Sequence, residues 1–278
     1  MELLTLNLHT YQEIVYNDED TIEGFLEKYK SIQRKIVELI ANEDVEICFF
    51  QEAGQYMHEE PDIFLHGVDI KKSNYVRRLV EMLAEYGKIY HFVWDMAHYG
   101  FGIWEEGLGI VSKFPIVDFE SRYVSRNQDV NTFYTRKIIR ARIEDKGGPI
   151  DLYSVHFNWK EAGFEDEYEN FVSWVEEIGN ERFIIAGDFN VSYGSEEYKM
   201  VMKREILGLS VLDSWMVANP NEPDRPTFIG DKISEESARI DYILVPENFL
   251  VKSARIVFES ERVSDHKGVL VDVEISQK

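Results

Sequence analysis

A chain of 278 residues fits one large domain or two small ones, and its 44% apolar content is enough for a sizeable core. With 52 acidic against 30 basic residues it carries a net charge of −22, which counts against a polynucleotide ligand, because such binding draws on Lys and Arg to neutralise phosphates. The lone Cys48 excludes an intramolecular disulfide; with no leader-like segment before the first strand and no apolar stretch long enough for a bilayer, a cytoplasmic protein that engages no membrane is expected.

Residues 3–7 read as an opening strand that delivers the amide of Asn7 at its end, followed by a polar loop to Asp20. From 21 to about 41, Ile22, Phe25, Leu26, Tyr29, Ile32, Ile36, Leu39 and Ile40 recur at helical spacing. Residues 45–52 form a second strand that ends in the carboxylate of Glu52, and a polar loop runs on through Pro61. A second helix spans 75–86, with Val76, Leu79, Val80 and Leu83 on one face. The pattern then turns to strands at 90–94, 107–111, 116–119 and 132–143. Gly147-Gly148-Pro149 turns the chain into a strand at 150–156 that ends in His156. A helix at 165–178 precedes the buried run 183–186, which opens into Gly187-Asp188-Phe189-Asn190. A helix near 196–203 and strands at 239–245, 252–258 and 268–275 complete the pass. Strands and helices mix in both halves without linker or repeat, so two mixed sheets packed face to face with helices outside would bury these runs in one domain, 1–278.

The polar residues at the strand ends carry the chemistry. An Asp-Phe-Asn motif after one buried strand and Ser264-Asp265-His266 before the last are costly arrangements for structure alone. Asn7 and Glu52 add an amide oxygen and a carboxylate, which suit a hard cation such as Mg²⁺ beside a phosphate. His266 and Asp241 form an expected acid–base pair, since a carboxylate on one imidazole nitrogen fixes the tautomer and supports the cation. Together these residues point to metal-assisted phosphoester hydrolysis.

The series Asn7, Gln51-Glu52, Ser154-Val155-His156, Gly187-Asp188-Phe189-Asn190, Arg239-Ile240-Asp241-Tyr242 and Ser264-Asp265-His266 resembles the endonuclease/exonuclease/phosphatase superfamily over essentially the whole chain. Within it, the stretch from Ile103 to Ile110 with Thr135-Arg136-Lys137 is similar to small bacterial sugar-phosphate phosphatases of the maltose 6′-phosphate type. The resemblance implies a four-layer α/β sandwich of two mixed, mostly antiparallel sheets, with the site at the strand ends between them. It implies Glu52 as the main Mg²⁺ ligand (Mn²⁺ as a substitute), with Asn7 beside the metal and Asp265 completing its ligands directly or through water. Asp188 competes with His266 for the role of base, while Asn190 and His156 donate to phosphate oxygens. Glu106 resembles the Glu that pairs with this His in pancreatic deoxyribonuclease, and Arg136 is expected to clamp phosphate. Trp104 and Trp159, with Tyr99, are candidates for an aromatic wall against a sugar. His9 stands where many relatives carry an acidic or polar residue, which leaves the number of metals open. The expected substrate is a small anionic phosphate ester, with a phosphodiesterase or nuclease as the rival; no protein partner is implied.

Overall fold

The described residues of this computed structural model are 1–17, 20–230 and 237–275. Strand β1 (Glu2–Asn7) passes through a short 3-10 turn into helix α1 (Ile22–Asn42), where the Thr21 hydroxyl caps the amide of Gly24 at 3.1 Å. β2 (Ile47–Tyr56), the small hairpin β3 (Ile63–Leu65) and β4 (Val68–Ile70), and helix α2 (Tyr75–Glu85) follow. A long hairpin joins β5 (His91–Gly100) to β6 (Trp104–Ser112); β7 (Asp118–Tyr123), β8 (Lys137–Asp145) and β9 (Gly148–His156) form a meander. Helix α3 (Phe164–Ile178) places Glu165, Asp166 and Glu167 at the positive end of its dipole and stops at Gly179, whose φ is +70°. The chain closes with β10 (Phe183–Asp188), α4 (Glu196–Lys203), β11 (Val211–Asp213), α5 (Ser214–Ala218), β12 (Asp241–Pro246), β13 (Phe249–Val257) and β14 (Gly268–Ile275).

The strands make two six-stranded sheets, ordered β13-β14-β1-β2-β6-β5 and β11-β12-β10-β9-β8-β7. Leu3, Ile47, Phe49 and Ile110 of the first meet Ile139, Leu152, Ile184 and Ile243 of the second in an apolar inner core. α1 and α2 cover the outer face of the first sheet through Phe25, Tyr29, Ile36, Val76 and Leu79, and α3 and α4 cover the second through Phe171, Val175 and Val201. This is the expected four-layer α/β sandwich.

One parallel pair lies at the centre of each sheet, β1–β2 and β9–β10, and each is joined by a helical crossover. Four strands therefore end at one rim, and ligands of α/β sheets gather at such carboxyl ends. The rim holds Asn7 opposite Gln51 in the first sheet and Asp188 opposite His156 in the second. Antiparallel β12 starts there, with Asp241 opposite Asp188, and β14, which follows His266, pairs Val269 with Thr5. A buried polar strut ties the rims together: Gln51 Nε2 donates to Ser154 Oγ at 3.1 Å, and Ser154 Oγ donates to the Phe50 carbonyl at 3.2 Å.

The elements differ from expectation in several places. β2 continues four residues past Glu52, and the β5–β6 hairpin is longer than its apolar cores. Residues 132–136, rich in Thr, Phe and Tyr, lie outside any strand, and β8 starts only at Lys137. The β3–β4 hairpin, β11 and α5 are too short to leave a periodic signal. The expected loop up to Asp20 includes residues 18 and 19, which lie outside the described residues.

Candidate active site

A β-bulge aims Glu52. The register between β2 and β6 shifts between Phe50 and Ala53, and Glu52 has φ +46°. Alternation would send a residue after the inward-facing Gln51 to the opposite face; the bulge turns Glu52 to the rim instead. There Asn7 Nδ2 donates to Glu52 Oε1 at 2.9 Å and to Asp188 Oδ2 at 3.1 Å, so one amide joins carboxylates of both sheets. The Asn7 carbonyl oxygen accepts the His9 amide at 3.0 Å.

Asp188 is reached through Gly187. An ideal Cβ at Gly187 would stand 2.0 Å from the Val155 carbonyl, so only glycine lets β10 lie against β9 at this point. Asp188 Oδ1 accepts the Asn190 amide at 2.8 Å, and its Oδ2 lies 3.6 Å from His156 Nε2 and 3.8 Å from His266 Nε2. Asn190, at φ +53°, donates its side-chain amide to the Phe157 carbonyl at 2.9 Å. His266 Nδ1 meets Asp241 Oδ2 at 2.9 Å, with both side chains buried.

Burial and crowding of like charge set the protonation states. Glu52 is pushed up to about 7, first by burial and then by Glu106 and Asp265. Asp188 also rises to about 7, through burial and the neighbouring Asp241. Burial works against a charged His266, yet Asp241, Asp188 and Asp265 hold it up at about 10. His156 is depressed well below the ordinary imidazole value, first by burial and then by the Arg136 charge, so it stays neutral. Arg136 NH1 donates to its Nδ1 at 3.3 Å, which leaves the proton on Nε2, facing Asp188 and Glu52.

Arg136 is buried, and its Nε donates to Asn158 Oδ1 at 3.0 Å. Asn158 is itself fixed by Glu167, which accepts its backbone amide at 2.9 Å and its Nδ2 at 2.6 Å. Lys137, next in the chain, pairs with Asp95 at 2.8 Å, but Arg136 has no carboxylate partner among the described residues. A cleft of about 360 Å³ opens over this guanidinium, lined also by Glu52, His98, Glu106 and His156 and rimmed by Phe101 and Phe133.

Two expectations require correction. Glu106 does not take His156 as its partner. Its Oε2 accepts the Thr10 hydroxyl at 2.7 Å and its Oε1 lies 3.2 Å from His98 Nε2, because β5 and β6 pair His98 directly with Glu106. Arg136 occupies the position beside His156. Trp104 is not part of an aromatic wall: it is 1% exposed and stacks on Tyr11 at 4.7 Å, within a core cluster that includes Phe25 and Tyr56. Trp104→Ala should therefore destabilise by about 3–5 kcal/mol, as large-to-small core changes do. Thermal unfolding should show a fall in Tm with KM unchanged; an altered KM at unchanged Tm would contradict this placement.

Trp159 is 36% exposed and packs with the exposed Phe133 and Tyr134. Asp265 groups with His9 and Glu13, whereas Glu52 groups with His156 and Asp188; each set offers ligand atoms within 4.8 Å of one another. His9 Nδ1 lies 2.9 Å from Glu13 and 3.5 Å from Asp265. His98, which lines the cleft, was not among the residues expected from sequence. Buried against Glu106, it is driven down to about 4 by burial and by the Arg136 charge. A register shift between Met96 and His98 sets its side, and no periodic pattern signals that.

The sequence profile of the Endonuclease/Exonuclease/phosphatase family matches residues 27–266. No curated protein sequence matches significantly. Among solved structures, an endonuclease/exonuclease/phosphatase family protein from Leptotrichia buccalis superposes with a TM-score of 0.82 at 26% identity, covering 99% of this chain and 100% of the other. A mannosyl-6-phosphatase of Bacteroides thetaiotaomicron gives 0.62 at 19% identity, over 99% and 100% of the two chains. The human Nocturnin catalytic domain, solved with a sulfate anion, gives 0.68 at 16%, over 99% and 93%. The last two likenesses are of fold alone. The chain belongs to the endonuclease/exonuclease/phosphatase family, a family of divalent-metal-dependent phosphoester hydrolases.

Proposed function

We propose that this family member is a Mg²⁺-dependent phosphomonoesterase whose substrate is a small sugar phosphate, and that residues 1–278 act as one catalytic domain. The observation that carries the reading is Arg136: a buried guanidinium without a carboxylate partner among the described residues, at the floor of a cleft sized for a small molecule. A buried charge left unpaired is costly, and a phosphoryl group in the cleft would neutralise it. Beyond Arg136, cations adjoining the motifs are already engaged, Lys160 by Glu197 and Lys267 by Glu259. Together with the net charge of −22, that argues for one phosphate and against a polyanion. A cytoplasmic setting is part of the proposal, in keeping with the buried, unpaired Cys48.

The donor set fits a hard divalent cation. Glu52 and Asp188 are carboxyls raised by burial and like charge, the environment that a cation relieves. Glu52 would hold it, with Asn7 and Asp265 beside it; when bound, it would offset charge that builds on the phosphoryl and leaving oxygens. His156 Nε2–H, Arg136 and Asn190 orient the phosphoryl group. Asp188, lying between the two imidazoles and ionised when the cation is bound, accepts the proton of the attacking water as the water oxygen bonds to phosphorus. The ester P–O bond breaks with its electron pair on the alcohol oxygen, which takes a proton from solvent. His266, cationic and backed by Asp241, donates to the developing negative charge.

A phosphate-release screen over sugar phosphates and nucleotides, beside plasmid and abasic DNA, tests the reading. Release from at least one sugar phosphate should far exceed any nucleic-acid cleavage, and Arg136→Ala should lower its kcat/KM by about 10²-fold, the scale of one charge-assisted phosphate contact. Efficient plasmid nicking with every sugar phosphate untouched would overturn it.

A further inference from the structure

The connection between β7 and β8 carries Phe133 and Tyr134 as exposed rings, although nothing in the sandwich core requires them there. Their centroids are 4.3 Å apart, and the Trp159 ring lies 6.2 Å from Phe133 and 6.0 Å from Tyr134. Three exposed aromatic residues thus form one ridge. The ridge is held in place: the Tyr134 carbonyl accepts Asn158 Nδ2 at 2.8 Å, Thr135 Oγ1 donates to the Asp129 carbonyl at 2.7 Å, and the Val130 carbonyl accepts the Tyr99 amide at 2.7 Å. Asn158 is the same residue that aligns Arg136, so the ridge and the buried guanidinium share one anchor.

Phe133 rims the cleft over Arg136 and His156. Tyr134 lines a second cleft of about 260 Å³, where Ser125, Arg126, Asn127 and Asp166 supply polar groups. We propose that this ridge is a pyranose subsite: the phosphoryl group sits over Arg136, the sugar ring packs across Phe133 and Trp159, and its hydroxyls reach the polar cleft beyond Tyr134. The inference rests on the phosphomonoesterase reading and names the substrate class within it. The apolar C–H face of a pyranose suits an aromatic surface, while its O–H groups need acceptors such as the Asp166 carboxylate. A nucleobase would also stack on the ridge, but the acidic turns that follow Trp159, with Glu161, Glu165 and Asp166, disfavour the phosphodiesters of a polynucleotide.

The test compares a hexose 6-phosphate with glycerol phosphate, which has no ring, using the full chain with Mg²⁺. Trp159→Ala and Phe133→Ala should each lower the ratio of kcat/KM for the hexose phosphate to that for glycerol phosphate by about tenfold, carried by KM, as the loss of one aromatic contact would. A binding readout independent of turnover exists, because Trp94, Trp104, Trp174 and Trp215 are each at most 3% exposed. In excess chelator, saturating hexose 6-phosphate should therefore change the tryptophan fluorescence of the wild type and not of Trp159→Phe. If nothing is hydrolysed but that signal persists, the catalytic reading fails and the subsite stands. An unchanged ratio in both variants, a tighter response to a nucleoside monophosphate than to the hexose phosphate, or no response to any sugar phosphate would overturn the subsite.

Discussion

His266→Ala should cut kcat by at least about 10²-fold with KM held within a few-fold, the scale and signature of a group that acts in the transition state. Its Nδ1 is 2.9 Å from Asp241 and its Nε2 is 3.8 Å from Asp188, so the ring lies between the supporting carboxylate and the proposed base. Truncation removes a cationic donor and leaves Asp241 buried without its partner. Asp241→Asn keeps the ring in place but withdraws support from the cation, and it should show an intermediate loss. A loss below about threefold for His266→Ala would make that residue a bystander and leave Asp188 to act alone.

Exhaustive chelation should abolish hydrolysis, and Mg²⁺ or Mn²⁺ should restore it. Stability offers a second readout. Glu52 and Asp188 titrate at about 7 in the folded chain, against ordinary values of 4.5 and 3.8. Between those values the folded chain holds protons that the unfolded chain has released, so stability falls as pH rises. His266 acts in the same direction: its contribution is complete below 6.5 and is lost as pH climbs through about 10. The neutral His98 and His156 oppose this only below 6.5, their ordinary value. From pH 6.5 to 8.5 the chelated protein should therefore lose several degrees of Tm, roughly 5 °C, and saturating Mg²⁺ should flatten that slope by favouring the ionised carboxyls. Full activity in excess chelator, or a Tm slope that saturating Mg²⁺ leaves unchanged, would refute the proposed metal dependence.

The strands and the long helices were legible because short apolar runs and helical periodicity survive in sequence whatever packs on them. The motif residues were legible because each stands just beyond such a run, where polar side chains are otherwise rare: Asn7 after β1, His156 and Asp188 at the ends of β9 and β10. What sequence could not show was direction. Glu52 looked like a strand terminus, but it sits in a bulge of a strand that runs on to Tyr56. His98 and Glu106 meet only through a register shift. Trp104 adjoins the rim in sequence and still points outward to Tyr11 and Phe25, partners from distant segments that only the fold supplies. Phe133 and Tyr134 read as strand because aromatics favour strands; the loop that displays them is held by hydrogen bonds from Asn158 and Thr135.

The place of β1 between β2 and β14 has a consequence for synthesis. As the chain leaves the ribosome, β1 gains β2 early but waits for more than two hundred further residues before β14 arrives, since Leu4 pairs with Leu270. Through that interval one edge of a strand carrying Leu3, Leu4 and Leu6 stays unpaired, the kind of edge that invites sticking to other nascent chains. The segment that covers this edge also brings His266. Protection of the sheet and arrival of that side chain thus come in one late event, so a chain stalled before it would be both idle and prone to aggregate.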